Sequence, residues 1–384
     1  MKNASLEALR FISEAWSNST LPLVATAEAL LRGEEVELPS IEARYIEGAE
    51  LGRGGLGRVA AVYDKRLGRQ VALKEKLKGG ATAEARFFQE ALITAQLEHP
   101  SIIPIYDFGR KADGTICYTM KLVSGKTLSE AIAQKPILAT RLPLLPNVLA
   151  VCEAVAYAHS KKIIHRDLKP HNILVGEFGE TILIDWGIAK NVGGHEWEGD
   201  AQPESSNKGN LTQQGSILGT PAYMPPEQAQ GKEVDERADV YSLGAILYHL
   251  LTGKPPYQKK TGREVVMALL DGPPHPLETA APLANKDLQA IINKAMERDP
   301  RDRYDSAREL AQDLKNFLAG QMVVARQYSL FERLSRVLQR YRLTILLWAV
   351  MLLGLMVVMA SIYSNLYYDK ELTACQQQLR AKTP

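Results

Sequence analysis

The 384-residue sequence predicts an α+β protein of two lobes followed by one membrane-spanning helix, and three observations predict it. Between Arg44 and Val123 short apolar strands dominate, interrupted by one helical stretch near Thr82–Leu97. From Ser124 onward helical spacing takes over, with short apolar strands only around Ile163 and Ile182–Ile184. Last, Leu343–Tyr363 (LTILLWAVMLLGLMVVMASIY) is nearly continuous apolar sequence.

That final stretch separates the chain from an ordinary soluble protein. Its 21 residues make a helix of roughly 31 Å, the thickness of a bilayer's hydrocarbon core. Tyr341, Trp348, Tyr363, Tyr367 and Tyr368 lie at or near its ends, where interfacial aromatics gather. The N-terminal flank, residues 319–342, carries Arg326, Arg333, Arg336, Arg340 and Arg342 against Glu332 alone. The tail, residues 364–384, holds Lys370, Arg380 and Lys382 against Asp369 and Glu371. The positive-inside bias therefore places the large N-terminal region in the cytoplasm of a single-pass cell-membrane protein, with a short extracytoplasmic tail.

Composition narrows the function. Hydrophobic residues make up 46% and charged residues 23%, as in globular domains, and the net charge is only +2. With no long basic run, nucleic acid is not an expected partner. Cys117, Cys152 and Cys375 are too scattered for a disulfide framework or a zinc site.

Residues 1–43 form a preamble. Leu6, Leu9, Ile12 and Trp16 recur at helical spacing, and Leu21–Arg32 reads as a second short helix before Gly33. Glu7, Arg10 and Glu14 interrupt the first of these, so it is not expected to be a signal peptide. Asn191–Gly215 is polar and rich in Gly, Ser and Asn, a long loop of the kind that usually serves function.

Four segments carry chemistry. Leu51, Gly52, Arg53, Gly54, Gly55, Leu56, Gly57, Arg58 and Val59 spell G-x-G-x-x-G-x-V, in which glycines let backbone amides approach phosphate oxygens. A dinucleotide fold would need a helix directly afterwards, but Val59–Tyr63 alternates as a strand, and a second strand, Gln70–Leu77, carries Lys74. On the next helix Phe87, Glu90, Ile93 and Leu97 share one face. Glu90 on that apolar stripe is costly unless paired, and Lys74 is the expected partner. Third, Ile163–Val175 packs His165, Arg166, Asp167, Lys169 and Asn172 between apolar strands, a density of ionisable groups that stability does not explain. Finally, Asp185 ends a buried strand; Asn172 and Asp185 are hard oxygen ligands suited to Mg²⁺.

Taken in order, glycine loop, V-A-x-K, helix Glu, H-R-D-L-K-P-x-N, D-x-G and P-E resemble the signature set of eukaryotic-type (Hanks-type) Ser/Thr protein kinases. The resemblance covers about Arg44–Leu318. Gly219–Glu227 resembles the substrate-docking segment, Arg303 resembles the arginine that pairs with the P-E glutamate Glu227, and the P-E-Q-A-x-G string looks bacterial. The family implies a small antiparallel-sheet lobe with one helix, a mainly helical lobe, ATP and Mg²⁺ as cofactors, and protein Ser/Thr hydroxyls as substrates. By the same carry-over, the amides of Gly52–Gly57 cover the phosphates, Lys74 holds the α/β-phosphates and Glu90 orients Lys74. Asp167 accepts the substrate hydroxyl proton, Lys169 offsets charge on the transferring phosphoryl, and Asn172 and Asp185 hold the metal. Leu51, Val59, Ala72, Met120 and Leu174 would sandwich adenine, with hinge backbone bonds from Lys121 and Val123.

Two departures stand out. Trp186 replaces the usual Phe after the metal-binding Asp, and its indole N–H needs a partner. Pro225 replaces the usual Ala before Pro226-Glu227. Neither removes a chemical group. A pseudokinase or scaffold would typically lose Lys74, Asp167 or Asp185, and a small-molecule phosphotransferase would lack Gly219–Glu227. Arg166, in this family, receives a phosphorylated activation loop, and Thr212 and Ser216 are the candidate phosphosites. In the tail, Tyr368, Leu372, Cys375 and Leu379 follow a coiled-coil seam, so pairing with a second copy is a further expectation.

Overall fold

The computed structural model describes residues 40–53, 57–77, 81–186, 190–191, 221–329, 332 and 342–380. Gly54, Gly55 and Leu56, Gly219 and Thr220 of the docking-like stretch, Thr212, Ser216 and both expected N-terminal helices lie outside the described residues. The chain divides into two compact units, Met1–Arg326 and Gln327–Pro384.

Strands β1 (Tyr45–Arg53), β2 (Gly57–Asp64) and β3 (Arg69–Lys76) make an antiparallel meander. At the β2–β3 turn Asp64 accepts the amides of Arg66 and Leu67, and Gly68 takes φ 65°, a left-handed conformation that a side chain would strain. Helix α1 (Ala81–Ala95) follows, then β4 (Ile105–Arg110) and β5 (Ile116–Met120), giving a five-stranded sheet in the order β1-β2-β3-β5-β4. Strand alternation sorts its side chains. Val62, Val71, Leu73 and Cys117 cluster on one face with Ile41 and Tyr45. Ile116 and Tyr118 point the other way and pack on Phe87 and Ala91 of α1.

In the larger lobe β6 (Gly125–Thr127) pairs with β8 (Ile173–Gly176), which pairs with β9 (Thr181–Leu183). Strand β7 (Ile163–Ile164) pairs with β10 (Lys190–Asn191). The core is built from α2 (Leu145–Ser160), α3 (Glu236–Thr252), α4 (Lys286–Ala295) and α5 (Ala307–Leu318). Apolar around most of its circumference, α3 is buried from Ala238 to Leu251. Asp235 caps its start by accepting the Arg237 amide. Gly244 lets α4 approach, because a Cβ there would lie 2.8 Å from Ala295 Cβ.

Packing extends beyond both ends of the Arg44–Leu318 stretch that carries the resemblance. Ile41 is buried in the sheet cluster, and Ser40 bridges Arg110. At the other end the buried Asp313 carboxylate accepts the Val324 and Ala325 amides and the Tyr304 hydroxyl, and Arg326 pairs with Asp287 at 2.7 Å. Packing of this unit therefore runs to Arg326, into the arginine-rich flank of residues 319–342.

In the second unit, α6 (Arg342–Arg380) is a single 39-residue helix. An 18-residue window within its stretch Leu346–Lys370 has mean hydropathy 2.3, and the stretch is long and apolar enough to cross a membrane. Leu138–Ser160 passes the same test of length and composition, but α2 within it is a core helix of the larger lobe.

Candidate active site

The site forms where β3, α1, β5 and the segments after β7 and β9 converge. Parity on β3 turns Leu73 to one face of the sheet and Lys74 to the other. There Lys74 Nζ lies 2.5 Å from Glu90 Oε1 and 3.7 Å from Asp185 Oδ1. The Tyr118 hydroxyl donates to the same Glu90 oxygen at 2.7 Å. Glu90 is 3% exposed, and burial pushes its carboxyl above the ordinary range, opposed by the Lys74 charge. The pair is thus an ammonium held by a buried carboxylate at the edge of the cleft.

After β7 the chain is fixed from below. Asp239, fully buried on α3, accepts the backbone amides of His165 and Arg166 at 2.8 and 2.9 Å, and the ring of His159 lies 2.8 Å away. Burial works against that charge, but the His159 hydrogen bond and the amides hold the Asp239 carboxyl below its ordinary value. Three anchors on one carboxylate keep Arg166 at φ 67°, a conformation other than glycine rarely adopts. Above this platform Lys169 Nζ contacts Asp167 Oδ2 at 2.5 Å. Asn172 Nδ2 donates to the Asp167 carbonyl at 3.0 Å, which leaves the Asn172 side-chain oxygen as its acceptor atom. The Asn172 carbonyl in turn accepts the Ile184 amide at 2.9 Å, tying this segment to the one that carries Asp185.

Asp185 also has a left-handed backbone, φ 68°. Its neighbour Trp186 is fully buried, with its ring centroid 4.6 Å from that of His165. The indole N–H finds no hydrogen-bond acceptor among the described residues. Among the described residues, ring packing against His165 holds this side chain.

The residues expected around adenine fall on five strands and the hinge. Ala72 and Met120 are register partners across β3 and β5, and Val59 faces Lys74 across β2 and β3. Leu51 is exposed on β1, and Leu174 is half-buried on β8. The Lys121 amide donates to the Pro104 carbonyl, so Lys121 can offer a ligand only its own carbonyl, with Val123 two residues on. The side chains of Arg53 and Arg58 turn to carboxylates: Arg53 to Glu50, and Arg58 to Glu47, Glu50 and Glu75. Only their backbone is left for phosphate. Below the cleft Arg303 makes a buried bidentate pair with Glu227 at 2.7 and 2.8 Å, and the Tyr223 hydroxyl lies 2.7 Å from His249 Nδ1.

No cluster of three or more His, Cys, Asp or Glu side chains suited to a metal occurs among the described residues. One Asn oxygen and one carboxylate instead suit Mg²⁺, which takes few protein ligands and completes its shell with phosphate oxygens and water. Tyr118 and Asp239 were not legible as site residues. An aromatic inside an apolar strand reads as core, and a lone Asp at the start of an apolar helix reads as a cap.

A two-lobed fold with a lysine–glutamate pair above the cleft and an anchored Asp-Lys-Asn segment below it defines a phosphoryl-transfer architecture. The profile described as protein kinase domain matches residues 45–314, and the chain belongs to that family. It is 37% identical over 308 residues to the serine/threonine-protein kinase PknD of Protochlamydia amoebophila, covering 75% of this chain and 31% of that one. With PknD of Chlamydia trachomatis serovar D identity is 38% over 291 residues, covering 70% and 31%. With PknD of Chlamydia pneumoniae it is 37% over 288 residues, covering 70% and 30%. The chain thus spans about a third of the length of the curated relatives it matches.

Proposed function

We propose that this chain is a membrane-anchored Ser/Thr protein kinase that transfers the γ-phosphate of ATP to protein hydroxyls. The observation that carries this reading is Lys74 Nζ held within 2.5 Å of Glu90 and 3.7 Å of Asp185, which aims one ammonium at the place where phosphates enter the cleft. The amides of the 52–57 loop would cover those phosphates while Lys74 contacts the α/β oxygens. Asp167, fixed through the His165 and Arg166 amides, orients the acceptor hydroxyl and takes its proton, and Lys169 balances charge on the moving phosphoryl. Asn172 and Asp185 would hold Mg²⁺, which when bound neutralises phosphate oxygens. Catalysis then rests on positioning and electrostatics, since a loose phosphoryl-transfer transition state asks for little else.

In this reading Leu346–Lys370 spans the cell membrane with the kinase lobes on the arginine-rich, cytoplasmic side. The unbroken helix to Arg380 supports a second expectation, that the seam of Tyr368, Leu372, Cys375 and Leu379 pairs two copies. Pairing would raise the local concentration of one kinase for the loop of the other and favour phosphorylation of Thr212 or Ser216 in trans. A scaffold without turnover draws no support, because Lys74, Asp167, Asn172 and Asp185 are all retained. The test is incubation of the full chain in detergent with Mg-ATP and a basic protein substrate. Phosphoserine or phosphothreonine in the substrate is expected; no incorporation by chain that binds ATP would reverse the reading in favour of a scaffold.

A further inference from the structure

The face of the small-lobe sheet opposite Lys74 holds a cavity of about 190 Å³ that the kinase reading does not use. Ile41, Tyr45, Ala60, Val62 and Leu73 form its apolar lining, and Glu42, Glu47 and Lys111 contribute charged groups. It is a little larger than the ~150 Å³ apolar cavity that takes up benzene in another protein, so one or two large aliphatic side chains would fit. Its wall includes Ile41 and Glu42, the two residues after Ser40, where the described chain begins.

We propose that this cavity is the docking site for the chain's own Leu21–Arg32 segment. In that segment Leu23, Val24, Ala27, Leu30 and Leu31 fall at the spacing of one helical face. Twelve residues are too few for a stable isolated helix, so the segment gains order only by covering its apolar face against a partner. The seven residues Gly33–Pro39 join it to Ser40, and even fully extended they reach only about 25 Å. That tether raises the effective concentration of Leu21–Arg32 at the cavity far above that of any separate partner, so a modest apolar contact suffices. Charge agrees, since Arg32, at the tethered end, approaches a rim that carries the Glu42 carboxylate.

The experiment uses the full chain in detergent micelles. A benzophenone amino acid replaces Leu31, and irradiation is followed by peptide mapping. A crosslink within one chain to peptides containing Tyr45, Val62 or Leu73, unchanged on dilution, is expected. In parallel, Val24→Glu combined with Leu31→Glu should speed amide exchange in β2 and β3 by about tenfold. Crosslinks between chains, found by mixing isotopically labelled and unlabelled protein, would overturn the proposal in favour of a second copy. Crosslinks to detergent alone, or exchange unaltered by the paired glutamates, would overturn it as well.

Discussion

Tyr118 and Lys74 converge on a single oxygen, Glu90 Oε1, at 2.7 and 2.5 Å. In the proposed function the hydroxyl is therefore a positioning group for the lysine that would contact phosphate. Its removal leaves a buried carboxylate with one donor fewer, an effect of about 1–1.5 kcal/mol. Tyr118→Phe is expected to lower kcat/KM for ATP roughly tenfold or less. Burial already pushes Glu90 up, and the Tyr118 hydrogen bond pulls it down. The substitution should therefore move the acid limb of the kcat/KM profile to higher pH, because Glu90 would protonate earlier and release Lys74. A profile with an unmoved acid limb would argue against this role.

Arg303 and Glu227 form another buried ion pair, with the arginine side chain fully enclosed. Breaking such a pair by removing one partner leaves the other charge stranded, typically at about 3–5 kcal/mol. Arg303→Met is expected to destabilise the larger lobe by that amount in urea unfolding of the full chain. Because Glu227 closes the stretch that resembles a substrate-docking segment and lies in the first turn of the helix Pro226–Ala229, KM for protein substrate should rise before kcat changes.

How much of this was readable in advance depended on where the chemistry sat relative to the hydrophobic pattern. Asp167, Lys169, Asn172 and Asp185 stand out because they interrupt apolar strands at positions where stability alone would choose otherwise. Glu90 stood out for the same reason on a helix face. Tyr118 fits its strand too well to be noticed, and only the sheet's register brings its hydroxyl to Glu90. Arg58 looked like a loop residue, yet strand pairing sets it opposite Glu75. The end of the folded unit at Arg326 was hidden as well, because Val323–Arg326 is held by amides and one ion pair rather than by a periodic apolar face.

His249 supplies a pH dependence of stability. Burial lowers its imidazole from 6.5 to about 4. Between those values the unfolded chain binds a proton that the folded chain refuses, so this contribution is complete above pH 6.5 and is lost on acidification toward pH 4. The full effect is at most roughly 3 kcal/mol. Melting temperatures measured from pH 7 to pH 4 should fall more steeply for wild type than for His249→Gln. Parallel curves would contradict the assignment.

Thr212 tests regulation. It lies outside the described residues, eight positions before Thr220. A phosphate there would make charge-assisted bonds to an arginine such as Arg166. Thr212→Ala is expected to lower activity toward protein substrate and to remove a phosphate detectable by mass spectrometry in wild type incubated with Mg-ATP. Full activity in the variant, with no phosphate at Thr212 in wild type, would place the regulatory site elsewhere.

The central claim, that Asp167 acts on the acceptor hydroxyl while other groups hold the nucleotide, is tested most directly by Asp167→Asn. The measurement pairs transfer of labelled γ-phosphate to a protein substrate with ATP affinity, on the same full-length preparation. Turnover is expected to fall by at least about a hundredfold while the Kd for ATP stays within about twofold of wild type, because Asp167 touches the substrate and not the nucleotide. Retained turnover, or ATP binding lost in step with turnover, would contradict the account.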